Sequence, residues 1–152
     1  FAILRFIKEI YLTFNATYRH QIISLSQSDF IPQNHNKKEL DTLPVRVLKP
    51  EGPLFFGSII SLLNIYDSAS KHEMLIIDMS DVSMVDLSSI YTLEDLIKAA
   101  KSKGVEVFVY NENFNIKNIL EKVNFIKHIG QDYYKDSYKS IISIILKRYF
   151  NS

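Results

Sequence analysis

The hydrophobic residues of this chain alternate between strand-like runs and helix-like stripes. Residues 74–77 form a continuous apolar run, which is typical of a strand buried on both faces of a parallel sheet. Residues 105–110 are rich in β-branched and aromatic side chains and predict a second strand. Between them, apolar residues recur at helical spacing over 87–103, and Gly104 can end that helix. The centre of the chain therefore predicts a strand-helix-strand unit with 74–77 as the central strand.

The alternation continues on both sides of this unit. Upstream we expect two short strands, paired like a hairpin around a turn at 50–53, and then a helix capped by Ser58. Downstream we expect a helix capped by Asn113, a short strand and a last helix. These outer elements are predicted at 45–48, 54–56, 58–68, 113–123, 126–129 and 136–150. The order β-β-α-β-α-β-α-β-α gives an α/β fold with a small, open, mostly parallel β-sheet flanked by helices.

The first 43 residues differ in character from this pattern. Over residues 1–14, apolar side chains recur at helical spacing opposite charged ones and predict an amphipathic helix. A core-packing helix and a juxtamembrane helix at a membrane surface share this pattern, so both interpretations stay open. Residues 15–43 are polar and irregular, and we interpret them as a linker that supplies few core residues. The folded domain is then expected over residues 44–152.

Composition excludes several classes of protein. The 18 basic and 17 acidic residues nearly balance, which leaves no field to attract nucleic acid. Without cysteine there can be no disulfide, thiolate zinc site or cysteine nucleophile, and the cytosol is the compatible compartment. No apolar run reaches the length of ~20 residues that crosses a bilayer, and the first residue is Phe1 rather than methionine, which suggests a piece of a longer chain. The four histidines lack the spacing of metal ligands, and we predict no catalytic residue, metal or cofactor.

Carboxylates and hydroxyls concentrate between the central strand and the following helix, over residues 78–89. One interpretation is structural: Asp86 or Ser88 caps the helix, while Asp78 and Asp81 bind turn amides. The other is functional, because a hydroxyl at a helix N-terminus is well placed to accept a phosphate or contact an anion. A magnesium cluster of Asp78, Asp81 and Asp86 is a weaker alternative, since no lysine or arginine accompanies the three carboxylates within the segment.

Two stretches, EGPLFFGS at 51–58 and LIIDMSDVSMVDLSS at 75–89, together resemble the STAS domain. The first is similar to the version at the cytoplasmic C-terminus of sulfate-permease-type (SulP) anion transporters, and the second resembles both these and the bacterial anti-sigma-factor antagonists. Residues 115–125 are also similar to the third helix of the family. In the first stretch, the family motif with a structural role comprises Gly52, Pro53, Phe55, Phe56 and Gly57.

The resemblance implies a function for the polar segment. Ser88 matches the position that is a phosphorylated serine in the antagonists, Asp86 matches the acidic residue before it, and Ser89 stands where glycine is usual. A partner-facing turn of Asp81, Asp86, Ser88 and Ser89, with Ser88 as the switch, is therefore expected.

The resemblance also implies a place in the cell. We expect a soluble, non-enzymatic regulatory and docking domain on the cytoplasmic side of the membrane, where it belongs to an integral anion transporter. Its partners would be the transmembrane part of that transporter and a cytosolic regulatory protein, without nucleic acid, and a homodimer through the full-length transporter stays open. The alternative is a free-standing antagonist-type phosphoswitch that binds a kinase-like partner.

Overall fold

The computed structural model describes Ile3, Arg5 and residues 20–150. The strands of this part are β1 (Gln21–Ser24), β2 (Val45–Lys49), β3 (Glu51–Leu54), β4 (Met74–Asp78), β5 (Asp81–Val85), β6 (Glu106–Tyr110) and β7 (Tyr134–Lys135). The α-helices are α1 (Lys37–Asp41), α2 (Phe56–Asp67), α3 (Leu87–Ser102), α4 (Phe114–Lys122), α5 (Phe125–Ile129) and α6 (Tyr138–Ile145), and α6 continues as a π-helical turn, Leu146–Phe150. The predicted amphipathic helix at 1–14 lies, apart from Ile3 and Arg5, outside the described residues.

The strands form a five-stranded sheet and a small second one. The large sheet has the order β1-β2-β4-β6-β7, in which β1 is antiparallel to β2 and every other neighbouring pair is parallel. β3 and β5 pair in parallel as a separate two-stranded sheet. The predicted α/β class with a mostly parallel sheet is confirmed, and β4 is its central strand.

Hydrophobic cores cover both faces of the large sheet. Side chains of β4 alternate between them, so that Leu75 and Ile77 pack under α2 to α5, while Met74 and Ile76 pack under α1 and α6. All five residues of β4 are buried, as the unbroken apolar run predicts. The protein is thus a three-layered α/β/α domain.

The predicted hairpin and the strand at 54–56 are wrong. β2 pairs with β1 and β4, whereas β3 begins at Glu51, ends at Leu54 and pairs with β5. Gly52 has a positive φ of 80°, and the register with β5 shifts between Gly52 and Pro53, so residues that resemble a turn in the sequence instead form a bulged strand.

The helix expected from Ser58 begins two residues earlier, at Phe56. The Ser58 hydroxyl lies inside the first turn, where it accepts a hydrogen bond from the Phe55 amide at 3.0 Å and lies 2.8 Å from the Pro53 carbonyl oxygen, to which it donates. Ser58 therefore stabilises this helix start from within rather than as the N-cap.

Two further predictions need correction. Residues 126–129 are helical rather than extended, because Asn124 adopts a left-handed conformation (φ 60°, ψ 23°) that turns the chain into α5, and the last strand is β7.

Residues 20–43 are not a linker poor in core residues: they supply β1, α1 and the fully buried side chains of Leu25, Phe30 and Leu40. Isolated apolar residues in a polar stretch carry no periodic signal, although here they cover one face of the sheet.

Candidate functional site

The polar segment after the central strand is largely a strand rather than a loop. β4 ends at Asp78, the chain turns at Met79 and Ser80, and β5 runs alongside β3 until α3 begins at Leu87. The Asp86 amide donates to the Leu54 carbonyl oxygen at 3.1 Å, which fixes the end of β5 against the end of β3. The helices α2 and α3 therefore start side by side.

Asp86 is the N-cap of α3. Its Oδ1 accepts a hydrogen bond from the Ser89 amide at 2.8 Å, and its carbonyl oxygen accepts one from the Ile90 amide at 3.1 Å. The structural interpretation of Asp86 is confirmed. A carboxylate at this position also interacts favourably with the positive end of the helix dipole.

Ser88 is exposed in the first turn of α3. Its carbonyl oxygen accepts a hydrogen bond from the Thr92 hydroxyl at 2.9 Å, and its own side chain faces outward. The structure therefore leaves the Ser88 hydroxyl accessible to a modifying enzyme or a partner.

Ser89 does not belong to the partner-facing set. Its side chain is 1% exposed, and its hydroxyl oxygen has no hydrogen-bond partner within the described part of the chain. An unpaired buried hydroxyl is unfavourable, so a residue without a hydroxyl would be more stable at this position. The prediction that Ser89 faces a partner is wrong, because the first turn of α3 rotates this residue into the core.

Asp78 and Asp81 lie at opposite ends of a tight turn and in different environments. Asp78 is 1% exposed; its Oδ1 accepts from the Ser80 amide at 3.0 Å, and its Oδ2 has no hydrogen-bond partner among the described residues. Burial raises the pKa of Asp78, and the hydrogen bond from Ser80 and the charge of Lys49 offset only part of the rise. Asp81 is exposed and its Oδ2 lies 3.4 Å from the Lys49 ammonium nitrogen, so it forms an ion pair rather than binding a turn amide.

Lys49 is the basic partner that the segment itself lacks. Its ammonium nitrogen lies 3.4 Å from the Asp81 carboxylate and 3.6 Å from that of Asp29. Burial lowers the pKa of Lys49, but the carboxylates of Asp81, Asp78 and Asp29 together raise it above its usual value. Because Lys49 comes from β2 and Asp29 from the loop after β1, local sequence reasoning missed this cluster.

The structure does not assemble the predicted turn into one site. Asp81 begins β5 and Asp86 follows its end, so their backbones are separated by five residues of extended chain, ~17 Å. Within residues 20–150, with Ile3 and Arg5, no three side chains of His, Asp or Glu are grouped as a metal ion would require. The arrangement therefore does not support a magnesium cluster of Asp78, Asp81 and Asp86.

The sequence analysis missed a set of exposed apolar side chains close to Ser88 in the chain and on the neighbouring helix start. Five large apolar side chains are exposed on the first two turns of α2 and α3 and on β5, and we call them the apolar patch: Phe56, Ile60, Met84, Leu87 and Tyr91. Phe56 is 69% and Leu87 50% exposed.

The secondary structure places the members of the patch together. Leu54 of β3 is the register partner of Val85 of β5, and Phe56 and Leu87 each follow two residues later. Ile60 and Tyr91 lie one helical turn beyond them, at i+4. Ile60 and Tyr91 directly follow the buried Ile59 and Ile90, so each lies beside the apolar stripe of its helix, a signal that could have found part of the patch.

A model of the STAS domain family matches residues 36–140. The chain belongs to the STAS domain family. Over 70 residues, or 45% of this chain and 11% of the relative, it is 37% identical to the low affinity sulfate transporter 3 of Stylosanthes hamata. The sequence resemblance stated above is thereby confirmed.

Solved structures agree on the fold. The STAS domain of a SulP transporter from Vibrio cholerae is similar with a TM-score of 0.56 and 22% identity over 68% of this chain and 80% of that one. The murine Solute Carrier 26 family member A9 anion transporter, in its inward-facing state, is similar with a TM-score of 0.66 and 21% identity over 91% of this chain and 24% of that one. Both likenesses establish a STAS fold.

This chain corresponds to a minor part of its curated relatives. It spans between 11% and 20% of the length of the sulfate and bicarbonate transporters that it matches. In the described part of the chain, every helix is too short or too polar to cross a membrane.

Proposed function

We propose that this STAS domain is the cytosolic regulatory and docking domain of a sulfate-permease-like secondary anion transporter and does not transport by itself. The apolar patch around Ser88 is the observation that carries the proposal. Exposed apolar side chains grouped in this way mark interaction surfaces, whereas single ones are ordinary. The curated relatives, which are named as sulfate and bicarbonate transporters, supply the class of protein.

The patch suits a partner that buries apolar surface next to a polar rim. Full burial of one large exposed apolar side chain contributes about 1.5–3 kcal/mol, so burial of these five partly exposed members would supply a substantial part of a docking free energy. Ser88 and Asp86 stand at the edge of the patch and add the polar contacts that fix register. We infer that the surface contacts the transmembrane part of the same transporter or a cytosolic regulatory protein, at the cytoplasmic side of the membrane.

We propose Ser88 as the regulatory position within this surface. A phosphate there adds about −1.5 to −2 charges at the edge of an apolar surface, where desolvating it is unfavourable. The carboxylate of Asp86, which already occupies the N-terminal end of α3, adds repulsion. Phosphorylation of Ser88 would therefore release the partner. Regulation in this way requires neither a cofactor nor an enzymatic activity of the domain.

Uptake by the full-length protein tests the proposed function. The complete reading frame around this chain is expressed in cells that lack sulfate uptake, and entry of labelled sulfate and of labelled bicarbonate is measured. We expect saturable uptake of one anion, reduced when Leu87→Asp places a charge in the patch and unchanged for Ile31→Asp, where the side chain is also partly exposed but lies by α6. A reading frame without several apolar membrane spans would contradict the proposal.

The regulatory role of Ser88 has its own test. Ser88→Asp should weaken binding of the partner, and Ser88→Ala should preserve it. Ser83→Asp places the same charge at an exposed position of β5 and is the matched control. Equal affinities for Ser88→Asp and the unmodified protein would leave Ser88 as a residue of the first helical turn without a switching role.

A further inference from the structure

The guanidinium group of Arg46, near the start of β2, points at a serine hydroxyl. Its Nε and Nη2 atoms donate to the Ser70 hydroxyl oxygen at 3.0 and 2.7 Å, and Nη1 donates to the Val45 carbonyl oxygen at 2.9 Å. Within residues 20–150, no carboxylate forms an ion pair with Arg46. In this part of the chain, the positive charge of the side chain is therefore not neutralised by a contacting carboxylate.

This edge of the guanidinium suits two acceptor oxygens rather than one. Arginine binds carboxylates and phosphates through parallel hydrogen bonds to separate oxygens. Here both donors converge on the Ser70 hydroxyl oxygen, and together they occupy its two lone pairs. A phosphoryl group on this hydroxyl would bring three further acceptor oxygens to the same place, so each donor of Arg46 would have an oxygen of its own.

The loop between α2 and β4 holds Ser70 in position. His72 Nδ1 donates to the Ser70 carbonyl oxygen at 2.7 Å, and His72 Nε2 lies 2.9 Å from the hydroxyl oxygen of Tyr66, near the end of α2. Ser70 is nevertheless exposed. The loop therefore presents an accessible hydroxyl at a fixed place beside Arg46.

A cavity of about 360 Å³ opens beside Ser70. The charged residues that line it are Lys71, Lys103 and Asp67, and Lys103 directly follows α3. Together with Arg46, three cations and one carboxylate therefore lie around this serine. Their excess of positive charge is close to the charge of about −1.5 to −2 that a phosphoryl group carries.

We propose that Ser70 is a phosphorylation site whose phosphoryl group is bound by Arg46 together with Lys71 and Lys103. The phosphate donor is ATP, bound to a protein kinase. The Ser70 hydroxyl oxygen forms a bond to the γ-phosphorus, and the bond from that phosphorus to the β,γ-bridging oxygen breaks. ADP leaves, and the proton of the hydroxyl passes to the catalytic base of the kinase.

This site differs from Ser88 in place and in effect. Lys103, in the wall of the cavity, and Ser88 lie at opposite ends of α3, ~22 Å apart along the helix. A phosphate on Ser88 would meet the carboxylate of Asp86, whereas a phosphate on Ser70 meets cations. Modification of Ser70 would therefore tie the α2–β4 loop to β2 and to the end of α3, and the inference does not rest on the proposed docking function.

The second ionisation of the phosphate reports the cations around it. Phosphoserine is incorporated in place of Ser70 in the full chain during translation, and its second pKa is measured by ³¹P NMR. We expect this pKa to lie at least about one unit below the usual value of about 6, because nearby cations favour the dianion. Arg46→Gln should remove most of the lowering, and Arg46→Lys should keep only part of it, since lysine lacks the planar fork.

Phosphoserine in place of Ser83 is the matched control, because this position is exposed on β5, away from the cavity. Its second pKa should not be lowered. Equal pKa values at positions 70 and 83, or a lowering at position 70 that survives Arg46→Gln, would overturn the proposal.

Mass spectrometry of the full-length protein from its own cells tests whether the residue is modified. We expect phosphate on the peptide that contains Ser70, and its absence there both with and without phosphatase inhibitors would overturn the proposal. The unmodified chain is also titrated with inorganic phosphate. Binding that Arg46→Gln abolishes, in a protein whose Ser70 carries no phosphate in cells, would assign the cations to a free oxyanion instead.

Discussion

Replacing Asp78 by asparagine should stabilise the domain at neutral pH. The carboxylate is 1% exposed and uses only Oδ1 in a hydrogen bond, to the Ser80 amide. Asparagine retains an acceptor at that position and removes a buried negative charge whose second oxygen has no partner among the described residues. The attraction to Lys49 is lost, but burial outweighs it in the environment of Asp78.

The expected gain follows from the removal of a buried charge, whose presence is reflected in the raised pKa of Asp78. The asparagine amide also leaves one buried polar atom unpaired, but an unsatisfied charged group costs more than a neutral one, so after subtracting the lost attraction to Lys49 we expect Asp78→Asn to gain about 1 kcal/mol at pH 7.5. Because the folded-state pKa of Asp78 is raised, the folded protein binds the proton more tightly than the unfolded chain. The natural protein therefore loses stability as pH rises from about 3.9 through the folded-state pKa, whereas the asparagine of the variant does not titrate. The gain should accordingly shrink towards zero near pH 4.

Urea unfolding followed by circular dichroism at pH 7.5, 5.5 and 4.0 measures this difference. Each kcal/mol corresponds to a rise of about 2–4 °C in the Tm of a domain of this size. Asp81→Asn is the control, since Asp81 is exposed and its ion pair with Lys49 contributes about 0–1 kcal/mol. A less stable Asp78→Asn at pH 7.5, or a gain that is the same at all three pH values, would refute the reasoning.

Three further predictions concern stability, each measured by urea unfolding. Ser89→Ala should gain about 1 kcal/mol by removing an unpaired buried hydroxyl, and a loss would mean that the hydroxyl has a partner. Asp86→Ala should lose about 1 kcal/mol with its N-cap hydrogen bond, and no change would contradict the capping role. His20→Gln should lose about 1–2 kcal/mol at pH 8, where the bonds to Glu51 and Ser58 are intact. Because burial lowers the pKa of His20, the natural protein should lose this contribution as pH falls below about 6.5, so a deficit that does not shrink at lower pH would contradict that account.

The parts of the fold with strong periodicity were predictable from sequence. The run that became β4 is buried on both faces, and α3 ends as expected, with Gly104 at a positive φ of 85°. Asn113 caps α4 by accepting from the amides of Asn115 and Ile116. In these elements, the pattern of apolar residues in the sequence agrees with the burial of those residues in the fold, so the sequence pattern alone predicts the element.

The elements that the sequence analysis missed are those in which the pattern of apolar residues does not reveal the secondary structure that the fold imposes. β5 buries Val82 and Val85 only, because it packs in a small separate sheet, and so it lacks the alternation of a regular strand. Five residues such as those of α5 are too short for their period to separate a helix from a strand. The last helix was expected from Asp136, but Ser137 caps it by accepting from the Ser140 amide.

The candidate site was predictable only in part for the same reason. The role of Asp86 as a cap depends on its neighbours in sequence and could be read from them. The burial of Ser89, the ion pair of Asp81 with Lys49 and the exposure of Phe56 depend on contacts between segments that are far apart in the chain.

Binding between this domain and the membrane-embedded part of the transporter to which we propose it belongs tests the central claim most directly. The detergent-solubilised membrane part is immobilised, and the affinity of the purified chain is measured for the natural protein, Leu87→Asp and the control Ile31→Asp. A charge in place of an apolar side chain that the partner would bury should weaken binding at least about tenfold, which corresponds to about 1.4 kcal/mol, and the control should bind normally. Equal binding by all three proteins, or no binding by any of them, would contradict the docking function assigned to the apolar patch.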